Sequence, residues 1–358
     1  MNELNILVTG ACGTIGSALI QSLLSNQNST TNTLIGIDNN ESELFFLDQR
    51  YLSDPRASFF LADIRDKDSL TSIMRGIDIV FHAAALKHVV MCERSPKEAI
   101  QTNINGVENI IFAAIENRVK KVIFTSSDKA VNPTNVMGTS KLMGERLITA
   151  ANGMNKDIIF SSTRFGNVLG SNGSVIPIFK KQIEAGGPIT LTDENMTRFI
   201  MTIDEAVKLV INSANQAIGG EVFVTKMPVI AIADLAQAMI ELLASHYGHN
   251  ANSIDIDMIG AKPGEKLYEE LMNHEETRRA IELKDYFSVL PAFKGFSEQN
   301  YCYEGILTET IEDPYISASQ PKMSISEIKD YLSKNNLIEI KANDFGKRYW
   351  PGEKEEVQ

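Results

Sequence analysis

Ser127, Asp128 and Lys129 stand consecutively at the end of an apolar run, Lys121 to Thr125, and a second lysine, Lys141, follows in a stretch with helical spacing. A hydroxyl, a carboxyl group and an amine at one point can hold, give and take protons around a reacting carbon. The amine acts as a base only while neutral, which asks for burial or a nearby cation, and Lys141 is the candidate cation. The plain alternative is a surface ion pair in a loop. Location weighs against it, because open α/β sheets hold ligands at the C-terminal ends of their buried strands.

A second constellation lies at the start of the chain, where Thr9 to Gly16 reads TGACGTIG between a strand and a helix. Gly10 and Gly13 allow a tight turn and close approach of a pyrophosphate to the backbone. Gly16 allows close packing, and the helix start at Thr14 and Ile15 offers N–H groups and a positive dipole end. Asp38 ends the next strand, 22 residues past Gly16, where a carboxylate accepts from an adenosine ribose, and no arginine follows it directly. The expected cofactor is therefore NAD rather than NADP. Asp63 and Ile64, after the third strand, suit the adenine, and Ala83 and Ala84 in HAAA give a small-residue strand end over which a dinucleotide can lie. His82 reads as a packed strand histidine.

These groups need a scaffold of alternating strands and helices. Strands are expected at Asn5 to Val8, Thr33 to Ile37, Ser58 to Leu61, Ile77 to His82, Lys121 to Thr125 and Asp157 to Arg164. Helices are expected at Ile15 to Leu24, Lys67 to Met74, Lys97 to Asn117 and Gly138 to Ala151. That order implies an α/β fold, a Rossmann doubly wound parallel sheet with a smaller C-terminal substrate-binding domain. Residues 1–165 would form the NAD-binding core. Residues 166–350 would form a mixed region completing it and supplying the cap, with helices at Val175 to Ala185, Ile203 to Ala217 and Ile232 to Tyr247 and a further element in Gly260 to Met272; 351–358 reads as a loose tail.

The net charge of -12 excludes a surface for nucleic acid, since neutralising phosphates needs clustered Lys and Arg. Cys12, Cys92 and Cys302, far apart, suggest neither a disulfide framework nor a metal site. No run of eighteen apolar residues is present to cross a bilayer, so a cytoplasmic protein without a transmembrane segment is expected.

The glycine spacing, HAAA, Asn103 in TNINGVEN, Thr125 to Lys129 (TSSDK) and Lys141 together resemble the extended short-chain dehydrogenases/reductases. That family carries Tyr-x-x-x-Lys on one helix, and here Met137 replaces the tyrosine. The run SSDKAVNPTNVMGTSK from Ser126 to Lys141, AALKHV, RFGNVLGSNG, TRFIM and KPGEKLY are similar to the methionine-containing bacterial UDP-N-acetylglucosamine 4,6-dehydratases, a polysaccharide biosynthesis family.

The resemblance implies that Asp128 protonates the departing 6-hydroxyl and Lys129 removes the C5 proton. Ser127, or Ser126 beside it, would bond the 4-hydroxyl, and Lys141 would hold the nicotinamide ribose. Met137 would shape an apolar wall. No group is named for deprotonating the 4-hydroxyl, although Asp128 acting twice is one route. For a UDP-linked amino sugar, Lys87, His88, Asn167, Arg198 and Glu265 are implied, Arg198 at the diphosphate and Glu265 at the uridine ribose. A 4-epimerase is the nearest rival, a catalytically inactive dinucleotide-binding protein the next, and a homo-oligomer of at least two copies is expected.

Overall fold

A computed structural model of the protein describes residues 3–25, 31–170, 174–260, 264–293 and 299–338. Gly173, Lys262 and Pro263 of the motifs quoted above, and the tail 351–358, lie outside the described residues.

Six strands, β1 (Leu4–Thr9), β2 (Thr31–Asp38), β3 (Ala57–Leu61), β4 (Ile79–His82), β5 (Lys121–Ser127) and β6 (Ile159–Phe165), pair in parallel in the order β3-β2-β1-β4-β5-β6. The reversal of order between β1 and β4 is the switch point at which a doubly wound sheet opens a crevice. Both faces of the sheet are covered, so the strands read as near-continuous apolar runs. In β1, Leu7 joins one buried cluster with Val80 and Val122, while Ile6 and Val8 join the cluster on the other face with Phe81 and Ile123. Val222–Thr225 continues the sheet in parallel beyond β6, and Tyr286–Val289, Ala280–Leu283 and Ile306–Thr308 extend it antiparallel. A separate core joins helices Val175–Glu184, Ile232–Leu243 and Ile325–Lys334 through Phe179, Ile183, Leu235, Met239, Ile328 and Leu332.

Several elements differ from expectation, among them helix Val89–Arg94, which was not foreseen. Helix Glu41–Arg50, capped by Asn40, carries no broad apolar stripe; only Leu44 and Leu47 are buried, so periodicity gave no signal. The helix expected from Lys97 to Asn117 is a helical run interrupted by a π turn at Gln101–Asn105, which lets Asn103 face inward. Of Gly260 to Met272, the regular element is the strand Glu270–Met272.

Candidate active site

The glycine turn is built as its spacing suggests. Gly10 has φ +69°, and a Cβ there would lie 2.7 Å from the backbone nitrogen of Ala84; one on Gly16 would lie 2.0 Å from the Gly10 carbonyl. Asp38 is fixed at the end of β2 by Cys12 N donating to Oδ2 and Asn40 N donating to Oδ1, both at 3.0 Å. These residues fit a dinucleotide: a bare backbone turn at a helix start, then a positioned acceptor. Two expectations shift. Asp63 has both oxygens bridged by Arg65, and Ile64 turns its side chain into the core toward Gly106. His82 is fully buried and bonded to Thr9 Oγ1 at 2.7 Å. Burial, and then Lys141, push its pKa down to about 3, so it is neutral.

At the end of β5 the chain turns through a short 3-10 segment, Asp128–Ala130, capped by Ser127. Ser127 donates to Asp128 Oδ1 at 2.7 Å, and Lys129 Nζ reaches both carboxylate oxygens at 3.0 Å. Ser126 faces the other side of the strand, its hydroxyl buried without a hydrogen-bond partner among the described residues. Burial resists ionisation of Asp128, but the charge of Lys129 and the bonds from Ser127 and Lys129 outweigh it and hold the carboxyl below its usual range. Burial likewise resists the charge on Lys129, and Asp128 and Glu269 outweigh it, raising its pKa. The resting pair is thus carboxylate and ammonium.

That corrects one expectation and favours one route: Lys129 is not held neutral by Lys141, and Asp128, a carboxylate at rest, is set to act twice, first as base and then as acid. The cation facing Lys129 is Arg198, while Lys141 donates to the Thr125 carbonyl at 2.9 Å and lies 4.7 Å from the centre of the Phe124 ring. Burial lowers the Lys141 pKa to about 8 against the opposing charge of Glu145, one turn along the helix.

Helix Val136–Met154 presents Lys141, and three contacts set its start. The Asn135 side chain accepts from Gly138 N, Glu93 accepts from Val136 N, and a Cβ on Gly138 would lie 2.2 Å from the Lys129 carbonyl. Asn103 then clamps this helix to the loop after HAAA, bonding both backbone groups of Leu86 and donating to Ser140 Oγ. Met137 is buried in a small cluster with Cys92 and Ala99. It packs there as an apolar side chain, with no group to take or give a proton.

All five residues expected to meet the substrate, Lys87, His88, Asn167, Arg198 and Glu265, line one cavity of about 410 Å³ with an apolar back wall. Arg198 is the exception in role. Its guanidinium donates to the carbonyls of Thr197, Lys266 and Leu267 and its Nε lies 3.3 Å from Glu269, so the planar fork braces the cap instead of standing open for a diphosphate. Lys87 and His88 are exposed at the mouth. A larger cavity, about 610 Å³, opens beside Cys12 and Thr14 but runs along helix Thr14–Ser25 toward Ile203, away from Asp128.

Comparison with known proteins bears directly on this arrangement. A family model described as polysaccharide biosynthesis protein matches residues 6–291. The chain belongs to that family. It is an extended short-chain dehydrogenase/reductase. An uncharacterised membrane protein of Methanocaldococcus jannaschii is 50% identical over 80% of this chain and 85% of its own length. A UDP-N-acetylglucosamine 4,6-dehydratase (inverting) of Campylobacter jejuni is 39% identical over 84% of this chain and 86% of its own. A UDP-glucose 4-epimerase of Rickettsia canadensis is 36% identical over 93% and 96%. Among solved structures, Pen from Bacillus thuringiensis superposes with a TM-score of 0.85 at 40% identity, covering 94% of this chain and 99% of that one. Among the described residues, no helix is long and apolar enough to cross a membrane.

In this member of the polysaccharide biosynthesis family, sequence reasoning missed Glu269. Its carboxylate is buried, accepting from Asn167 Nδ2 at 2.7 Å and Phe199 N at 3.0 Å, with Lys129 Nζ at 3.8 Å. Burial and then the charge of Asp128 push its pKa up to about 7. The available signal was the acidic pair Glu269–Glu270 between Leu267-Tyr268 and Leu271-Met272, which alternation splits to opposite faces. Also missed was Arg164, fully buried between Glu145 and Glu276.

Proposed function

We propose that this enzyme is an NAD-dependent UDP-N-acetylglucosamine 4,6-dehydratase, a hydro-lyase converting the UDP-linked amino sugar to its 4-keto-6-deoxy form for glycan biosynthesis. The observation that carries the reading is the Ser127-Asp128-Lys129 cluster at the end of β5, its carboxylate buried and its serine and lysine half-buried, paired with a methionine where the family places tyrosine. A 4-epimerase relies on that tyrosine to move the 4-hydroxyl proton and has no use for an acid and a base at C5 and C6. Relatives of both kinds stand at similar identity, and these residues are what favour the dehydratase reading.

The loop Gly10 to Gly16, Asp38, Ala83, Ala84 and Lys141 would hold the dinucleotide. NAD, when bound, supplies reversible acceptance of a hydride. The chain's own residues manage the protons. Asp128, ionised at rest, takes the 4-hydroxyl proton that the absent tyrosine would have taken. Now protonated, it gives that proton to the departing 6-hydroxyl, so it acts twice and ends as it began. Lys129 takes the C5 proton. The cavity has Val168, Leu191 and Ile230 in its apolar wall, and Lys87, His88 and Asn167 on its lining would meet the nucleotide sugar.

Mass spectrometry of the products tests the assignment. A product lighter than UDP-N-acetylglucosamine by one water supports the dehydratase; a product of unchanged mass and altered retention supports the epimerase instead.

A further inference from the structure

Lys129 poses a problem that the dehydratase reading leaves open. It must be neutral to remove a carbon-bound proton, yet Asp128 at 3.0 Å and Glu269 at 3.8 Å hold it charged. Taking up the 4-hydroxyl proton neutralises Asp128 and removes the larger part of that hold. The ammonium group then faces one remaining carboxylate, Glu269.

Three elements surround Glu269. The turn after β5 brings Asp128 and Lys129, and strand Thr197–Met201 brings Arg198, whose Nε lies 3.3 Å from Oε1. From the Gly166 to Gly170 segment, Asn167 donates to the same oxygen. Glu269 is only 4% exposed and, like Asp128 and Lys129, stands next to the cavity-lining Asn167 and Arg198 without lining the cavity itself.

We propose that Glu269 is a positioning residue that accepts the proton of Lys129, leaving the amine neutral for the C5 step; the inference rests on the dehydratase reading. Lys129–NH3+ and Glu269–COO− become Lys129–NH2 and Glu269–COOH, an N–H bond breaking as an O–H bond forms, with no change of oxidation state. Lys129 gains the C5 proton, returns a proton to C5, and recovers its own from Glu269. Burial, the larger cause of the raised Glu269 pKa, persists after Asp128 is neutralised, so the carboxyl still binds protons more tightly than usual and can share one with a lysine.

The test is the pH profile of kcat on UDP-N-acetylglucosamine for the wild type and Glu269→Gln. In the wild type, kcat is expected to fall below about pH 7, because a carboxyl already protonated cannot accept from Lys129. In Glu269→Gln, turnover at pH 7 should drop at least about tenfold and the acidic limb should move alkaline, toward the lysine's own titration. Reduced nicotinamide should accumulate on mixing with sugar nucleotide, since oxidation at C4 does not need Lys129 neutral. A variant whose kcat is scaled by one factor at every pH, with the limb in place, overturns the proposal. Should the glutamine variant not fold, Glu269→Asp keeps a titrating group but withdraws it from Lys129. The limb should then persist with kcat at least about tenfold lower, and an unchanged kcat overturns the proposal. A wild type that dehydrates nothing rejects the functional reading and this inference with it; a wild type that dehydrates while the variant's limb stays fixed rejects the inference alone.

Discussion

Lys129→Ala separates chemistry from binding at the residue scale. It should lower product formation by about 10²–10⁴-fold, the usual effect of losing a general base, while equilibrium dialysis shows NAD binding at wild-type level; more than about a tenth of the activity remaining removes Lys129 as the base. Asp38→Ala should act on the other side, weakening NAD about 10- to 100-fold in calorimetry, the value of hydrogen bonds to a charged acceptor, with unchanged product. Tighter binding of NADP than NAD by the wild type contradicts the placing of Asp38. At this scale the sequence was legible where function is local: the glycines, Asp38 and the Ser127-Asp128-Lys129 run sit where their spacing implies. It was silent where function depends on partners distant in the chain. Glu269 is 140 residues from Lys129, and nothing in KLYEE says which acid turns inward. Arg198 looked like a diphosphate clamp because an isolated arginine shows its charge but not the three carbonyls that occupy its fork.

Among the elements, helix Val136–Met154 and the turn Asp128–Ala130 form one device, and Gly138 is its tolerance. With a Cβ there placed 2.2 Å from the Lys129 carbonyl, Gly138→Ala must push the turn or the helix outward. A displacement of about 1 Å at a reacting group can cost about 10²-fold. The expected result is a kcat lowered by about that factor together with a stability loss of about 1–3 kcal/mol from the overpacked contact, checked by steady-state kinetics and denaturant titration; an unchanged kcat contradicts the coupling of turn and helix. Strand and helix positions in the first half were legible because every strand of a parallel sheet is apolar on both faces and every helix carries a stripe. Helix Glu41–Arg50 was not, having only Leu44 and Leu47 to bury. The π turn at Gln101–Asn105 was equally invisible, since no residue type marks it.

For the molecule as a whole, Arg164 is a tie between parts. It joins Glu145 of the helix carrying Lys141 to Glu276 and the Leu271 carbonyl of the C-terminal region, all buried. Arg164→Ala leaves two buried carboxylates facing each other and should destabilise the fold by about 3–5 kcal/mol, measurable by denaturant titration; a change below about 1 kcal/mol contradicts the tie. Val90, Met91, Ile100 and Met143 leave an apolar surface on the helices flanking the site, and an assembly of at least two copies is expected; a monomer by sedimentation velocity at micromolar concentration contradicts it. The central claim is that the chain eliminates water from a nucleotide sugar through its own acid and base. The most direct measurement is proton NMR of the purified protein with UDP-N-acetylglucosamine in D2O. A C6 methyl signal of a 4-keto-6-deoxy sugar with deuterium at C5 is expected; appearance of UDP-N-acetylgalactosamine, or an unchanged spectrum with NAD added, contradicts elimination by this enzyme.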